Sequence, residues 1–369
     1  MAFRLSAFYF LFFAHAGVYV AYFPLYLAAR GLGAAEIAWV LALPAIARIF
    51  APAFWGLVAD RTGAHRGIVA FSCAVTAVGF ASIPFVDGIA WVVGAMSVLG
   101  AAALPLVEAI TLASLAGQSG RYGPIRLWGS ISFLAVVLAG GAWLDRYPVT
   151  ALPAPMVVFM AAACVAALSL PRGHAHAGAH RVALRFTPEI AALLGAAFCN
   201  AVAHGALYAF LSLHLEALGY SGTTIGVLWT IGVAAEIVVF LYLPQLFRRA
   251  TLSAILIASL ACAVVRFLAI GWAAHELWIV LLAQLLHAAT FGSFHAASVA
   301  AVHRIFPAEA QARGQTLLSS IGYGAGAASG LLLAGWCWQG GGAPLAFSAS
   351  AASALAGAFI AHRLKRAGL

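Results

Sequence analysis

Apolar runs of about twenty residues, the length that crosses a bilayer as a helix, recur along this chain. Each run ends at a cluster of Gly, Pro or charged residues. These breaks predict helices over 4–29, 36–59, 66–86, 89–116, 124–145 and 152–170. After a polar stretch they resume over 188–216, 223–247, 251–272, 276–304, 311–336 and 343–363. Twelve spans in 369 residues leave about 31 residues for each, so the loops are short and no soluble domain fits between them. The apolar run that follows Arg4 continues from Leu5 to about Ala29, too long for a signal peptide, and reads as the first span. The pattern divides the chain into a six-helix bundle over 1–170, a linker over 171–187 and a second six-helix bundle over 188–369. Thr187-Pro188-Glu189 carries a cap, a proline at the first position and an early acid, which together mark a helix start.

Composition agrees with this reading. The chain is 64% hydrophobic and only 8% charged, against about 25% charged residues in a soluble domain. That excludes an ordinary soluble enzyme. The formal charge of +9 does not imply nucleic acid, because the basic residues form no patch or stripe. They sort by side instead. With the N-terminus inside, the inner loops and ends collect Arg4, Arg61, Arg66, Arg121, Arg172, Arg181, Arg185, Arg248, Arg249, Arg304, Arg313, Arg363, Lys365 and Arg366. The outer loops hold Arg30 and Arg146, and this bias places both termini in the cytoplasm. Cys73, Cys164, Cys199, Cys262 and Cys337 lie far apart in apolar stretches, with neither metal-ligand nor disulfide spacing. His174, His176 and His180 in the linker read as part of a solvated connection, so no metal and no cofactor is expected.

The two halves repeat. A shift of 188 pairs Gly17 with Gly205, Leu25 with Leu213, Gly31 with Gly219, Ile37 with Ile225 and Arg61 with Arg249, and sets Arg48 opposite Glu236. A shift of 187 pairs Trp91 with Trp278 and Glu108 with His295. A shift of 190 aligns Leu127, Ser130, Ile131 and Phe133 with Leu317, Ser320, Ile321 and Tyr323. Six helices followed by six similar helices running the same way form a parallel repeat, and transporters built so hold their solute near the midplane between the halves.

Ionisable groups inside spans are costly, about 2.5–3.5 kcal/mol each on insertion scales, and so are informative. They are Arg48, Glu108, Arg126, Glu236 and Arg266, joined by His15, His204, His214, His287 and His295. Three arginines against two glutamates leave one positive charge, which an anionic solute would compensate. His287, Thr290, His295 and Ser298 lie on one face of an α-helix and suit a proton relay or a buried hydrogen-bonded pair. Glu108, among Leu104-Pro105-Leu106 and Ile110, is placed as a proton carrier or as a strut to an arginine. Gly322, Gly326 and Gly330 form a small-residue seam for close helix packing.

The loop Gly56-Leu57-Val58-Ala59-Asp60-Arg61-Thr62-Gly63-Ala64-His65-Arg66 resembles the signature loop of the major facilitator superfamily. Ala64-His65 stands where that family has two basic residues, which implies a weaker inner latch. A narrower likeness, to the phenylpropionate branch related to the nucleoside and lactose proton symporters, covers nearly the whole chain. It rests on Tyr122-Gly123-Pro124-Ile125-Arg126-Leu127-Trp128-Gly129-Ser130, Gly219-Tyr220-Ser221, Leu228-Trp229, Ala235-Glu236-Ile237, Val264-Val265-Arg266 and Leu286-His287 with Thr290-Phe291.

The resemblance implies an all-α membrane fold and secondary active transport by alternating access. It implies that Glu108 and Arg126 frame the solute, with Phe133 stacking on it and Trp128 and Trp229 in the wall. Glu236 would hold Arg126 when the site is empty. Glu108, Glu236, Arg266, His287 and His295 would serve proton coupling, and Gly56, Asp60, Arg61, Gly63 and Arg66 the gating loop. Thr290 replaces the glutamate that carries the proton in the lactose symporters, so Glu236, Glu108 or His287 has to take it. The expected activity is proton symport of a small aromatic monocarboxylate such as 3-phenylpropionate. A sugar or nucleoside symporter, a drug exporter and a non-transporting assembly or sensor protein are the alternatives. The expected setting is a bacterial inner membrane, with lipid, solute and protons as partners and a monomer as the working unit.

Overall fold

The structure is a computed structural model and describes residues 1–115, 121–171 and 186–365. Arg172, Arg181, Arg185 and Arg366, and the linker histidines His174, His176 and His180, lie outside the described residues. Within those residues the chain is helical throughout, with no strand. We number the helices α1 (Ala2–Ala29), α2 (Ala34–Thr62), α3 (His65–Phe85), α4 (Ile89–Ser114), α5 (Tyr122–Leu144) and α6 (Val149–Leu168). They continue as α7 (Pro188–Ala217), α8 (Gly222–Arg249), α9 (Leu252–Ala273) and α10 (Leu277–Ile305). Each is long and apolar enough to cross a membrane. The last continuous stretch, Ala308–Lys365, has 58 residues, far more than one crossing needs. It breaks at Gly341 and Gly342, where the backbone leaves helical geometry, and thus supplies α11 (308–340) and α12 (343–365). The chain is a multi-pass membrane protein.

Two compact units emerge. One holds α1, α2 from Ile46 onward, α3–α6 and the first residues of α8, Ser221–Gly226. The other holds the start of α2 (Gly33–Ala45), α7, the rest of α8 and α9–α12.

The repeat is visible in matching helix ends. Gly31 after α1 and Gly219 after α7 both have left-handed backbones, at φ +82° and +86°. In each case the next residue closes the turn, Leu32 N–H donating to Leu27 C=O and Tyr220 N–H to Leu215 C=O, at 3.2 and 3.1 Å. This is the glycine-terminated cap in which two late carbonyls are satisfied at once, and only glycine adopts it without strain. The start of α7 follows local rules too: Thr187 Oγ1 accepts the Ile190 N–H at 3.4 Å, with Pro188 at the first position.

Packing explains the glycine seam. A Cβ added at Gly326 would stand 2.8 Å from the Phe198 carbonyl oxygen, and one at Gly330 only 2.5 Å from that of Val202. α11 therefore lies directly against the backbone of α7, as small residues allow when lipid offers no hydrophobic drive.

Candidate functional site

In the first unit the key side chain is Arg126, one turn into α5. Its guanidinium carbon lies 3.9 Å from the Phe13 ring centroid and 5.4 Å from that of Tyr9, both on α1. Gly129 makes room for this arrangement, because a Cβ there would fall 2.8 Å from Arg126 Nη1 and 2.8 Å from Phe13 Cδ2. Tyr9 is anchored through its hydroxyl, 3.2 Å from Thr111 Oγ1 on α4. Glu108, one turn before Thr111, is half-buried and close enough to interact electrostatically with Arg126. Among the described residues no ion pair under 4.0 Å joins the two. A delocalised cation is thus laid on aromatic faces, the geometry of a cation–π contact, with a carboxylate nearby but not clamped to it.

The other residues expected around the solute are placed differently. Phe133 is half-buried two turns along α5 on the face of Arg126, and its backbone packs closely against Gly17 of α1. Trp128 is 48% exposed and its ring lies 6.5 Å from that of Phe10. Being two residues from Arg126, it projects from another face of α5. Trp229, in the second unit, is buried; its Nε1–H donates to Ser212 Oγ at 2.9 Å and its ring stacks on Tyr208.

The second unit holds the polar cluster. Arg266 of α9 is fully buried, at 0% exposure. Its Nη1 donates to His287 Nδ1 and to Thr290 Oγ1, each at 3.0 Å, and its Nη2 donates to Gln284 Oε1 at 3.1 Å. All three acceptors come from α10 and all are neutral. The opposite edge of the His287 ring, Nε2, lies 3.6 Å from Glu236 Oε2 on α8. α7 closes the cluster: Asn200 Nδ2 donates to the Thr290 carbonyl at 3.3 Å, and the His204 ring stands 6.2 Å from that of His287. Of the buried side-chain atoms without a hydrogen-bond partner among the described residues, Asn200 Oδ1, His204 Nε2, Arg266 Nε and Gln284 Nε2 all belong here. Unused polar capacity is rare inside folded proteins; among the described residues the other such atoms are the Tyr19 hydroxyl and His65 Nδ1.

The α10 stripe divides. Ala288–Ser293 is a π-helical turn, which takes in an extra residue and changes the register that a 3.6-residue period assumes. His287 and Thr290 turn to Arg266, whereas His295 Nδ1 lies 3.1 Å from the Tyr323 hydroxyl on α11, inside a second π-helical segment, Leu318–Ala325. The rings of His287, Phe291 and His295 stack in series, with centroids 5.3 and 6.3 Å apart. Ser298 donates to the carbonyl of Phe294 on its own helix.

The remaining histidines are bound to backbone. His15 meets the Met156 carbonyl at 3.3 Å, His204 that of Asn200 at 2.8 Å and His214 that of Ile270 at 3.2 Å. Arg48 is exposed. In the loop between α2 and α3, Gly63 takes a left-handed turn at φ +66°, and Asp60 Oδ1 lies 3.6 Å from His65 Nε2. The residue that departs from the family's basic pair is therefore the one beside the aspartate. Arg61 is exposed, while Gly56 and Arg66 are half-buried.

Tyr9, Phe13, Gln284 and Asn200 were not singled out from sequence. The aromatic run Phe8-Tyr9-Phe10-Leu11-Phe12-Phe13 held a signal for the first two. An amide in an apolar span, one turn before His287, held one for Gln284.

The model of the MFS_1-like family matches residues 2–349. The chain is 25% identical over 351 residues to a probable 3-phenylpropionic acid transporter of Escherichia coli (strain K12), covering 90% of this chain and 89% of the relative. It is 27% identical over 354 residues to a maltose permease of Geobacillus stearothermophilus, covering 92% and 89%. The crystal structure of the nucleoside transporter NupG superposes with a TM-score of 0.82 at 17% identity, covering 98% of this chain and 98% of that one.

Proposed function

The chain belongs to the MFS_1-like family and is a transporter of the major facilitator type, and from that premise we propose that it imports a small aromatic monocarboxylate together with protons. The observation that carries this reading is Arg126, whose guanidinium lies 3.9 Å over the Phe13 ring with no carboxylate clamped to it. A guanidinium so placed offers its fork to a carboxylate, and the aromatic faces of Tyr9, Phe13 and Phe133 offer contact area to an aromatic body. Glu108 beside it sets the local charge. Similarity to the probable 3-phenylpropionic acid transporter points to the same solute class.

Proton coupling is assigned to Glu236, Arg266, His287 and His295, with Glu108 as a second carboxylate. Ionisable groups held inside a membrane are costly and mark solute and proton paths. The two six-helix halves, 1–170 and 188–369, would alternate access across the linker 171–187, with Gly56, Asp60, Arg61, Gly63 and Arg66 at the inner gate. The working unit is a monomer in a bacterial inner membrane, with both termini cytoplasmic.

The test is uptake of labelled 3-phenylpropionate into proteoliposomes with and without an inward proton gradient, with maltose and nucleosides as competitors. Gradient-driven accumulation that neither competitor blocks is expected. Accumulation of maltose or a nucleoside in place of the acid overturns the solute, and equilibration without accumulation overturns the coupling.

A further inference from the structure

We infer that Glu236 is the seat of the transported proton, and that Arg266 positions His287 as a fixed hydrogen-bond donor that does not itself titrate. The inference rests on the proton-coupled reading above and deepens it.

A guanidinium has only N–H donors and keeps its charge in proteins. Arg266 Nη1, 3.0 Å from His287 Nδ1, therefore requires that nitrogen to be the acceptor. A neutral imidazole with Nδ1 accepting carries its hydrogen on Nε2. That nitrogen faces Glu236 Oε2 at 3.6 Å, so the ring presents a donor to the carboxylate. A second proton on His287 would have to enter at Nδ1, against a buried cation already donating there.

The carboxylate is the open member of the cluster. The Glu236 side chain is 16% accessible and that of His287 7%, while Arg266 is sealed at 0%. The titratable group turned toward it is His287 from α10; Arg266 from α9 and His204 from α7 lie against that ring rather than against the carboxylate. Of these, Arg266 is a permanent cation, and His204 is held by its Nδ1–H on the Asn200 carbonyl at 2.8 Å. Thr290, on α10, supplies an acceptor to Arg266 and is no acid.

With Glu236 ionised, the Arg266–His287–Glu236 series is neutral; a proton added to the carboxylate oxygen makes it cationic, and no other bond changes. The cluster holds that proton best when a negative charge arrives with it. By linkage, any anion bound beside the cluster raises its proton affinity, and the proton raises the affinity for that anion.

The experiment uses the full chain in lipid. Infrared pH-difference spectra, recorded without solute, read the carbonyl stretch of a protonated carboxyl. The band is expected in the parent protein, lost in Glu236→Gln and retained in Glu108→Gln. A band that survives Glu236→Gln, or that is absent from the parent, overturns the assignment. His287 is tested by rescue: His287→Phe loses gradient-driven accumulation of 3-phenylpropionate, and His287→Gln, with an amide oxygen for Arg266 and an amide N–H for Glu236, restores it. Failure of His287→Gln to restore accumulation, with a native amide band, means the imidazole itself titrates and overturns the positioning role. A Glu236-dependent band in a protein that does not move 3-phenylpropionate would leave the proton seat standing and remove only the solute.

Discussion

Arg126 and Arg266 are both arginines inside spans, but the protein treats them in opposite ways. Arg126 rests on the faces of Phe13 and Tyr9, is half-buried, and has Glu108 near without an ion pair under 4.0 Å. Arg266 is sealed and has both terminal nitrogens committed to three neutral acceptors on α10. The first is a cation that no carboxylate pairs with at under 4.0 Å among the described residues; the second is a fixed part of the frame. Aromatic faces and the Tyr122 hydroxyl hold the Arg126 cation while using few of its hydrogens, whereas three acceptors at 3.0–3.1 Å lock the geometry of Arg266.

The comparison breaks most sharply if conservative changes at the two arginines act alike. Arg266→Lys keeps the charge but cannot span three acceptors, and charge-assisted hydrogen bonds are worth about 1.5–3 kcal/mol each. A fall in stability of about 3 kcal/mol is expected in thermal unfolding of the purified protein. Arg126→Lys should leave stability almost unchanged and weaken 3-phenylpropionate about tenfold, because a point charge replaces the fork. Equal loss of stability in both variants would erase the distinction between frame and ligand.

A pair of glycines sharpens the same contrast. Gly330→Ala drives a methyl to 2.5 Å from the Val202 carbonyl oxygen, where neither backbone has room to move. Overpacking of that kind costs about 1–3 kcal/mol and should appear as a lowered unfolding temperature. Gly129→Ala meets only the movable ends of Arg126 and Phe13, at 2.8 Å each. There the expected loss is in solute affinity, read by uptake at limiting concentration, with stability preserved.

The smallest effect belongs to an exposed carboxylate. Asp145, just after α5, accepts the N–H groups of Gly222 and Thr223 at 2.6 and 3.0 Å, at the start of α8 and within the first unit. The Thr223 hydroxyl and these amides hold its carboxyl below the usual carboxylate range. A depressed acid of this kind stabilises the folded state above its ordinary range, and the contribution is lost as pH falls through the lowered value. Asp145→Asn should cost about 1 kcal/mol or less at neutral pH. The difference from the parent should vanish in acid, as followed by unfolding temperature against pH.

Much of this architecture was legible in the chain because a bilayer imposes a one-dimensional rule. Backbone groups must be satisfied within each span, so span lengths and their breaks can be read directly from the order of residues. Gly31 and Gly219 stood out as a repeated pair, and both close a helix with the same left-handed turn. The Gly322–Gly326–Gly330 seam was equally plain, since small residues at helical spacing have one packing use in lipid.

The clusters were legible only as lists of costly residues. Which of them meet depends on contacts between helices far apart in sequence. Nothing in the order of residues sets Phe13 under Arg126 or Gln284 against Arg266. The partners along α10 were not legible either: His287 and Thr290 meet Arg266, whereas His295, stacked in the same series of rings, meets Tyr323. A bilayer fixes what must cross it residue by residue, whereas the tautomer of an imidazole is set by the group packed against its Nδ1. Sequence alone thus determined the spans, the repeat and the set of charges that lie within spans. Tertiary structure decided which charge is locked into the frame and which carboxylate is left open.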